Sequence, residues 1–513
     1  LIRHHPFHPV FPENGADAAM PVSLAAAGGW TVPAASPAWN VRCVASRKST
    51  LSLRDTHTWA LFFGGSGLGF ENGEWIAETA GRLIRDAATP AAARCASDFG
   101  DGRMRAFLAE AIGVRALRET ARAGLQRELH EILDGSEKVV LRLEVTRLTN
   151  PEGPVYITLH PLLGYGADAA RMLEILGASG CGPAPETLIG GVYRLLGVQP
   201  LAYSAKPPLT FEPGSEAAAA VVEILQGLLE VARWNEFGIA GDVDTEFLHD
   251  FRVALRKMRS VLSLTKGVFS GDATTRWKKQ LGDVCRKTNV LRDLDVQILG
   301  REDLCAMLPE ELRPGLDRFF EESGNARAVQ ARKVAAYLKS KSYTALVETL
   351  PREWENPVYR GPAAAHPVGL MASARLQKRF QRIRKLQKSI TSETPDSAIH
   401  ALRIECKKMR YLLDSFGRLF PADCALPIAK SLARVQNRLG RYNDTSVQQD
   451  HFLERAHGCL ETGDCRMALA LGGLIGSLHH EHAALRKKVV EALAAFCNRE
   501  HRALVKSLIP LDQ

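Results

Sequence analysis

Two short sets of residues in this chain have the types and spacing to hold a polyanion. The first is His249, Arg252, Arg256 and Arg259, with Lys257 beside them; the second is His400, Arg403, Lys407 and Arg410, with Lys408 beside them. A guanidinium offers paired donors to phosphate oxygens, an ammonium offers a mobile charge, and an imidazole gains charge as the pH falls below neutrality. At 100° per residue the histidine and its cations fall on one side of a helix, forming a ridge about 15 Å long. Like charges three or four residues apart repel by about 0.2–0.5 kcal/mol per pair. A multiply anionic partner is the simplest reason to keep that arrangement twice. Cationic runs are usually only solvated helix faces. Here few acids interleave with the ridge: Asp250 and Glu405 lie near it but do not align between the sets.

The elements that position these residues are duplicated. The histidines are 151 residues apart, and the same offset pairs Leu225-Gln226 with Leu376-Gln377, Phe269 with Phe420, Lys279 with Lys430, Leu281 with Leu432, Val284 with Val435 and Asp293 with Asp444. An ungapped match of that length indicates two copies of one helical unit. In each signature helix the ridge borders an apolar stripe. The stripe is Leu248, Phe251, Leu255, Met258 and Leu262 in one copy, and Leu402, Cys406, Met409 and Leu413 in the other. One face is therefore buried, and the cations line its border, where a groove between helices can form.

The following helix carries a second basic line: Lys279 and Arg286 in the first copy, and Lys430, Arg434 and Arg441 in the second. Asp293 and Asp444 lie further along it and are expected to orient the arginines or the histidine, or to close a helix-end ion pair. Helices are predicted at about 216–236, 244–267, 273–301 and 312–349, and again at about 367–391, 395–418, 424–457 and 465–508. Breaks are expected at Pro309–Pro314, Pro351–Pro367, Pro421 and Pro427 among others. Two antiparallel four-helix bundles related by a pseudo-two-fold axis follow.

Charge is divided unevenly along the 513 residues. Up to 205 there are 19 basic and 20 acidic residues; from 206 onward there are 47 and 37, so the net positive charge belongs to the repeated region. The ten cysteines form no C-x-x-C pair, and Cys285, Cys406 and Cys497 read as small buried hydrophobes. That fits a reducing cytoplasm, and no apolar run is long enough to span a membrane. Residues 1–19 read as a leader outside the native protein, with Met20 as an alternative start.

Residues 20–205 read as a mixed α/β domain, making the fold class multidomain α+β. Val139 to Leu148 alternates as a strand, and Val155 to Leu159 follows a turn cluster at Asn150 to Pro154. Gly64 to Gly67 reads as a turn, and Asp168 as the N-cap of a helix. Residues 206–215 are a Pro-rich linker. The region 216–513 is all-α, with copies at about 216–350 and 367–508.

The repeated His-x-x-Arg-Val/Ile-x-x-Arg/Lys-Lys-Met-Arg signature, followed by Arg292-Asp293-Leu294-Asp295 or Asn443-Asp444, resembles the CHAD family of histidine-containing α-helical domains over about 216–508. The resemblance implies inorganic polyphosphate bound in a basic central pore. Carried over, the binding positions are His249, Arg252, Arg256, Lys257 and Arg259 with His400, Arg403, Lys407, Lys408 and Arg410. Of these, Lys257 and Lys408 lie outside the ridge sector. The first half is similar to a degenerate CYTH (triphosphate tunnel) domain through Asp55 to Leu61 and the strand at Leu141 to Leu148. That family's Glu-x-Glu-x-Lys strand is absent, and Leu68 to Gly73 stands where its basic strand is expected. A Mg²⁺ ion or a triphosphate therefore has few evident partners there.

These residues lead to the expectation of a non-catalytic, cytoplasmic polyphosphate binder, without cofactor or resident metal, with polyphosphate granules as a candidate destination. Single-stranded nucleic acid is disfavoured, since Tyr411 and Tyr442 are the only aromatics close to the ridges. A phosphoanhydride hydrolase using His249, His400, Asp293 and Asp444 around a metal is the catalytic alternative. The many arginines would oppose a cation there.

Overall fold

The computed structural model describes residues 22–510 apart from 34–38, 80–81, 151–152, 185–186 and 392–393. The expected leader at 1–19 lies outside the described residues. The chain divides into two compact units between Tyr203 and Ser204.

The first unit is built on an antiparallel sheet. Its elements are β1 (Val22–Ala26), β2 (Asn40–Thr56), α1 (Ala60–Phe63), β3 (Gly67–Glu71), β4 (Glu74–Thr79), β5 (Arg82–Asp86), α2 (Arg103–Ile112), β6 (Leu117–Leu133), β7 (Val139–Asn150), β8 (Val155–Pro161), α3 (Gly166–Ala178), β9 (Gly182–Pro183) and α4 (Leu188–Leu195). The strand order is β5-β4-β3-β2-β6-β7-β8-β1-β9. The long strands β2 and β6 pair along their whole length, with bulges near Ala45 and Arg54. Side chains two apart share a face, so Leu51 and Leu53 of β2 and Ala123 and Leu125 of β6 bury together against Ile189, Val192 and Tyr193 of α4. Further along, the same face turns polar, at Ser49 and Arg47 of β2 and Arg127 of β6.

One expectation for this unit changes. Asp168 is not an N-cap: the helix begins at Gly166 with Tyr165 as cap, which places Asp168 in the first turn, where its charge favours the exposed N–H groups. The Asp55-Thr56 segment is a local brace. The buried Asp55 carboxylate accepts from the backbone N–H groups of Thr56, Leu61 and Phe62 at 2.6, 3.1 and 2.9 Å. It thereby holds the turn in which Trp59 takes a left-handed φ of 56°.

The second unit is helical: α5 (Ala217–Ala240), α6 (Thr245–Leu264), α7 (Gly271–Lys287), α8 (Asn289–Leu299), α9 (Arg301–Ala306), α10 (Asp317–Leu338), α11 (Lys341–Glu355), α12 (Val368–Lys388), α13 (Asp396–Phe416), α14 (Ala422–Thr462), α15 (Cys465–Phe496) and α16 (Arg499–Lys506). No described helix is long and apolar enough to cross a membrane.

The copies differ in their third helix. In the first copy it breaks at Thr288 between α7 and α8, whereas α14 runs unbroken for 41 residues. The expected stop at Pro427 does not occur. Pro427 lies near the start of α14 and forfeits one backbone bond there. Nor does Pro351 stop α11, which continues to Glu355. The predicted helix 312–349 is instead a 3-10 turn at Glu310–Leu316, then α10 and α11, with Ser340 capping α11 by accepting from Tyr343 N–H.

One continuous core runs through both copies, from Phe211 to Leu508, and includes the stripes of α6 and α13. Burying each of Phe251, Leu255, Met258 and Leu262 contributes about 1.5–3 kcal/mol. A second core joins Leu316, Phe319 and Phe320 of the first copy to Phe452, Met467, Leu471 and Leu474 of the second. Gly315 sits so close there that a Cβ would lie 2.6 Å from the Arg466 carbonyl oxygen. The copies therefore meet at two places, which bracket the stretches of α8 and α14 after Leu291 and Tyr442.

Candidate functional site

The N-terminus of α6 is set by Asp244, whose carboxylate accepts from Glu246 N–H at 3.0 Å. With the apolar stripe of α6 buried, its ridge faces α7 and α8. The Arg259 guanidinium lies over Gly282, a position with no side chain to exclude it. The charges of Arg252, Arg259 and Arg256 all act on the buried Cys285 thiol, partly offsetting the rise in its pKa that burial causes. Arg252 donates to the Cys285 carbonyl at 2.9 Å and to Thr288 Oγ1 at 2.7 Å, at the break between α7 and α8. The Nε atoms of Arg256 and Arg259 are buried without a hydrogen-bond partner.

Arg292 Nη2 donates to His249 Nδ1 at 2.9 Å. A guanidinium has only donors, so the ring accepts at Nδ1 and carries its proton on Nε2. Burial holds this imidazole below its ordinary value; Glu246 opposes that, and Arg292 adds to it. Glu246, His249 and Asp250 place ligand atoms within 4.8 Å of one another, the one such metal-competent group among the described residues. In the second copy the equivalent positions are Ser397, His400 and Ala401.

In the second copy the ring is turned round chemically. His400 Nδ1 donates to Asn443 Oδ1 at 3.0 Å. Arg403 Nε is buried without a partner. Lys407 is pushed down to about 8 by burial and by the charges of Arg403 and Arg256, against Asp444. Arg256 belongs to α6 and Lys407 to α13, and these helices pack on each other, so the two ridges converge across this seam.

The remaining expected positions divide into three groups. Lys257 also lies at the seam, where burial lowers its pKa and Asp414 of the second copy opposes that. Lys408 is paired with Glu405 at 2.7 Å, and Arg379 holds the same carboxylate at 2.8 Å. Arg410 donates to Gln436 at 3.1 Å. On the second line, Arg286 pairs with Asp283 of its own helix and Arg441 with Glu481 of α15, while Lys279, Lys430 and Arg434 are exposed. Asp293 and Asp444 are exposed, and their charges favour protonated Arg252 and Lys407 respectively. The residues that touch the histidines are their chain neighbours Arg292 and Asn443. They stand at the same offset of 151 but differ in type, and that difference is the signal that could have found them.

Beside His400 a cavity of about 290 Å³ opens between α13 and α14, lined by Ile399, Arg403, Leu439, Tyr442, Asn443 and Val447 among others. Among the lining residues, Asp396 accepts from Tyr442 Oη at 2.5 Å and meets His482 Nε2 at 3.2 Å, with the His482 ring stacked on Tyr442 at 4.0 Å.

The first unit has a separate cavity of about 550 Å³ on the polar part of its sheet. Carboxylates and cations from separate segments gather there, although among the described residues these carboxylates form no metal-competent group. Glu71, Glu74, Glu128 and Glu144 line the cavity with Arg47, Arg85 and Arg127. They come from six strands, β2 to β7, so no single-strand motif displays them. Arg127 binds Glu71 at 2.8 Å and Glu144 at 2.7 Å, and Arg85 binds Glu74 at 2.7 Å. The His160 ring and the Arg127 guanidinium hold Glu144 down at about 2 against burial.

The CHAD domain family model matches residues 223–453. No curated protein matches the chain. Among solved structures, the CHAD domain from the plant Ricinus communis aligns at 22% identity and a TM-score of 0.49, covering 57% of this chain and 96% of that one. PptA from Streptomyces chartreusis aligns at 17% identity and a TM-score of 0.40, covering 54% of this chain and 99% of that one. The family match spans both histidine signatures and the seam between α6 and α13, and on that match the chain carries a CHAD domain.

Proposed function

We propose that the helical unit binds inorganic polyphosphate along the seam of α6 and α13, through His249, Arg252, Arg256, Arg259, His400, Arg403 and Lys407. The observation that carries this reading is the packing of α6 on α13, which brings Arg256 of one copy and Arg403 of the other to bear on the partly buried Lys407. Cations gathered against their mutual repulsion, with Arg256, Arg259 and Arg403 each holding a buried unpartnered Nε, make a site that a chain of phosphates relieves. Lys257, Lys408, Arg410 and the second line, including Lys279, Lys430 and Arg434, extend the positive field around that seam and draw the polyanion toward it. Recruitment to polyphosphate granules is the cellular role that this binding suggests.

The test is a titration with polyphosphate of several lengths at two or more salt concentrations. Affinity should fall steeply with salt as counterions are released. Arg256→Ala/Lys407→Ala should weaken binding at least tenfold while leaving the helical circular dichroism intact; unchanged affinity removes the seam from the site. Single-stranded RNA displacing polyphosphate at equal phosphate concentration would turn the assignment toward nucleic acid.

The Glu246–His249–Asp250 group favours a second reading, a metal-assisted phosphoanhydride hydrolase. Phosphate release from tripolyphosphate with Mg²⁺ or Mn²⁺, abolished by Glu246→Gln, would establish it.

A further inference from the structure

The two copies are unequal beside their histidines. In the first copy the space next to the ring is occupied by Arg292, which donates to His249, and Arg252 is drawn away to Thr288 and Cys285. In the second copy Asn443 replaces Arg292, Leu439 replaces Thr288, Ser397 replaces Glu246 and Ser446 replaces Asp295. Each change removes a charge, a hydroxyl or bulk, and the result is the cavity of about 290 Å³ beside His400 and Arg403. That volume is at the lower end of small-molecule pockets, about 300–1,000 Å³.

The lining determines what fits. Ile399, Leu439, Tyr442 and Val447 give an apolar wall, and Ser397, Asn443 and Ser446 add neutral hydrogen-bonding groups. The one lining carboxylate, Asp396, is exposed and already held by Tyr442, His482 and Arg486. A phosphate placed deep in this space would meet the buried surface of Ile399, Leu439 and Tyr442. The cations stand to one side, at Arg403 and onward to Lys407 and Arg256. A ligand that suits both parts has a flat neutral body bonded to a run of phosphates.

We propose that this cavity takes the nucleoside of a nucleoside 5′-polyphosphate, with its phosphates running from His400 and Arg403 onto the seam. The proposal rests on the reading of the seam as a phosphate site. It makes the second copy the selective end and the first copy a plain polyphosphate track.

The test compares ATP and GTP with inorganic tripolyphosphate on the intact chain by calorimetry, without added metal. The expected result is tenfold or greater preference for the nucleotides. Val447 is 59% exposed, so Val447→Trp can fill the cavity mouth without disturbing the core. It should abolish the preference and leave tripolyphosphate affinity within threefold of the parent. Asn443→Arg, which restores the residue type of the first copy, should also erase the nucleotide-to-tripolyphosphate ratio. Tripolyphosphate binding with no nucleotide preference, or a preference that survives both substitutions, overturns this proposal alone. Failure of tripolyphosphate to bind overturns the seam reading, and this proposal with it.

Discussion

Arg292 and His249 form a 2.9 Å contact in which the guanidinium donates to Nδ1, fixing the imidazole proton on Nε2. Burial, Arg292 and Arg256 keep the ring below its ordinary pKa, so it faces an incoming anion as a neutral donor. Replacing Arg292 by Asn, the residue of the second copy, removes one nearby positive charge and the acceptor role at Nδ1. The expected outcome is an upward move of the His249 titration, read by pH-dependent NMR of the ring. A midpoint that stays put would show that burial alone sets the ring's charge.

Arg252 and Arg403 occupy equivalent positions but do different work. Arg252 ties the end of α7 to α6 through the Cys285 carbonyl and Thr288, while Arg403 leaves its Nε without a partner. Hydrogen bonds from a charged donor are worth about 1.5–3 kcal/mol. Arg252→Ala should therefore lower unfolding stability by roughly 1–3 kcal/mol, and Arg403→Ala should change it by no more than about 0.5 kcal/mol. Denaturant melts of the two single variants test this; equal losses would mean that Arg252 makes no structural contribution of its own.

The same pair marks what can be read from the chain and what cannot. The offset of 151 and the apolar stripes are local patterns, and they place α6 and α13 with their ridges on the border of the core. The break at Thr288 is marked by no Gly or Pro, because it is held by Arg252 from another helix. Pro427 invites a stop that tertiary packing overrides. In the first unit, the alternation in Val139 to Leu148 reads as a strand, but the meeting of Glu71, Arg127 and Glu144 depends on strand order. Strand order is a long-range property, invisible to any one segment.

That meeting makes a measurable contribution to stability. Glu144 is held at about 2 in the folded unit, below the ordinary carboxylate range. A carboxyl whose folded pKa is depressed stabilises the fold above its unfolded value, about 4.3, and loses that contribution as the pH falls toward 2. The contribution is roughly 2–3 kcal/mol. The protection factors of β6 and β7 amides, taken against the intrinsic exchange rate at each pH, should therefore fall between about pH 4.5 and 2, and Glu144→Gln should remove most of that dependence. Protection that stays equally pH-dependent in the variant would place the effect on other groups.

Lys407 gives the opposite sign and a different window. Its folded pKa is lowered to about 8, because burial and the charges of Arg403 and Arg256 disfavour the ammonium. A polyanion laid on the seam reverses that balance and restores the ordinary preference for the charged form. Binding should then take up a proton above pH 8, where the free protein has lost it. Affinity for polyphosphate should fall by up to about tenfold per pH unit as the pH rises beyond 8, and should level out below it. Lys407→Arg keeps the charge at every accessible pH, so its profile should be flat across pH 7.5–9.5. Calorimetry in buffers of different ionisation enthalpy reads the proton directly: close to one per site for the parent at pH 9, and close to none for Lys407→Arg. The same uptake in both proteins would assign the proton to another group and remove Lys407 from the seam's response to its ligand.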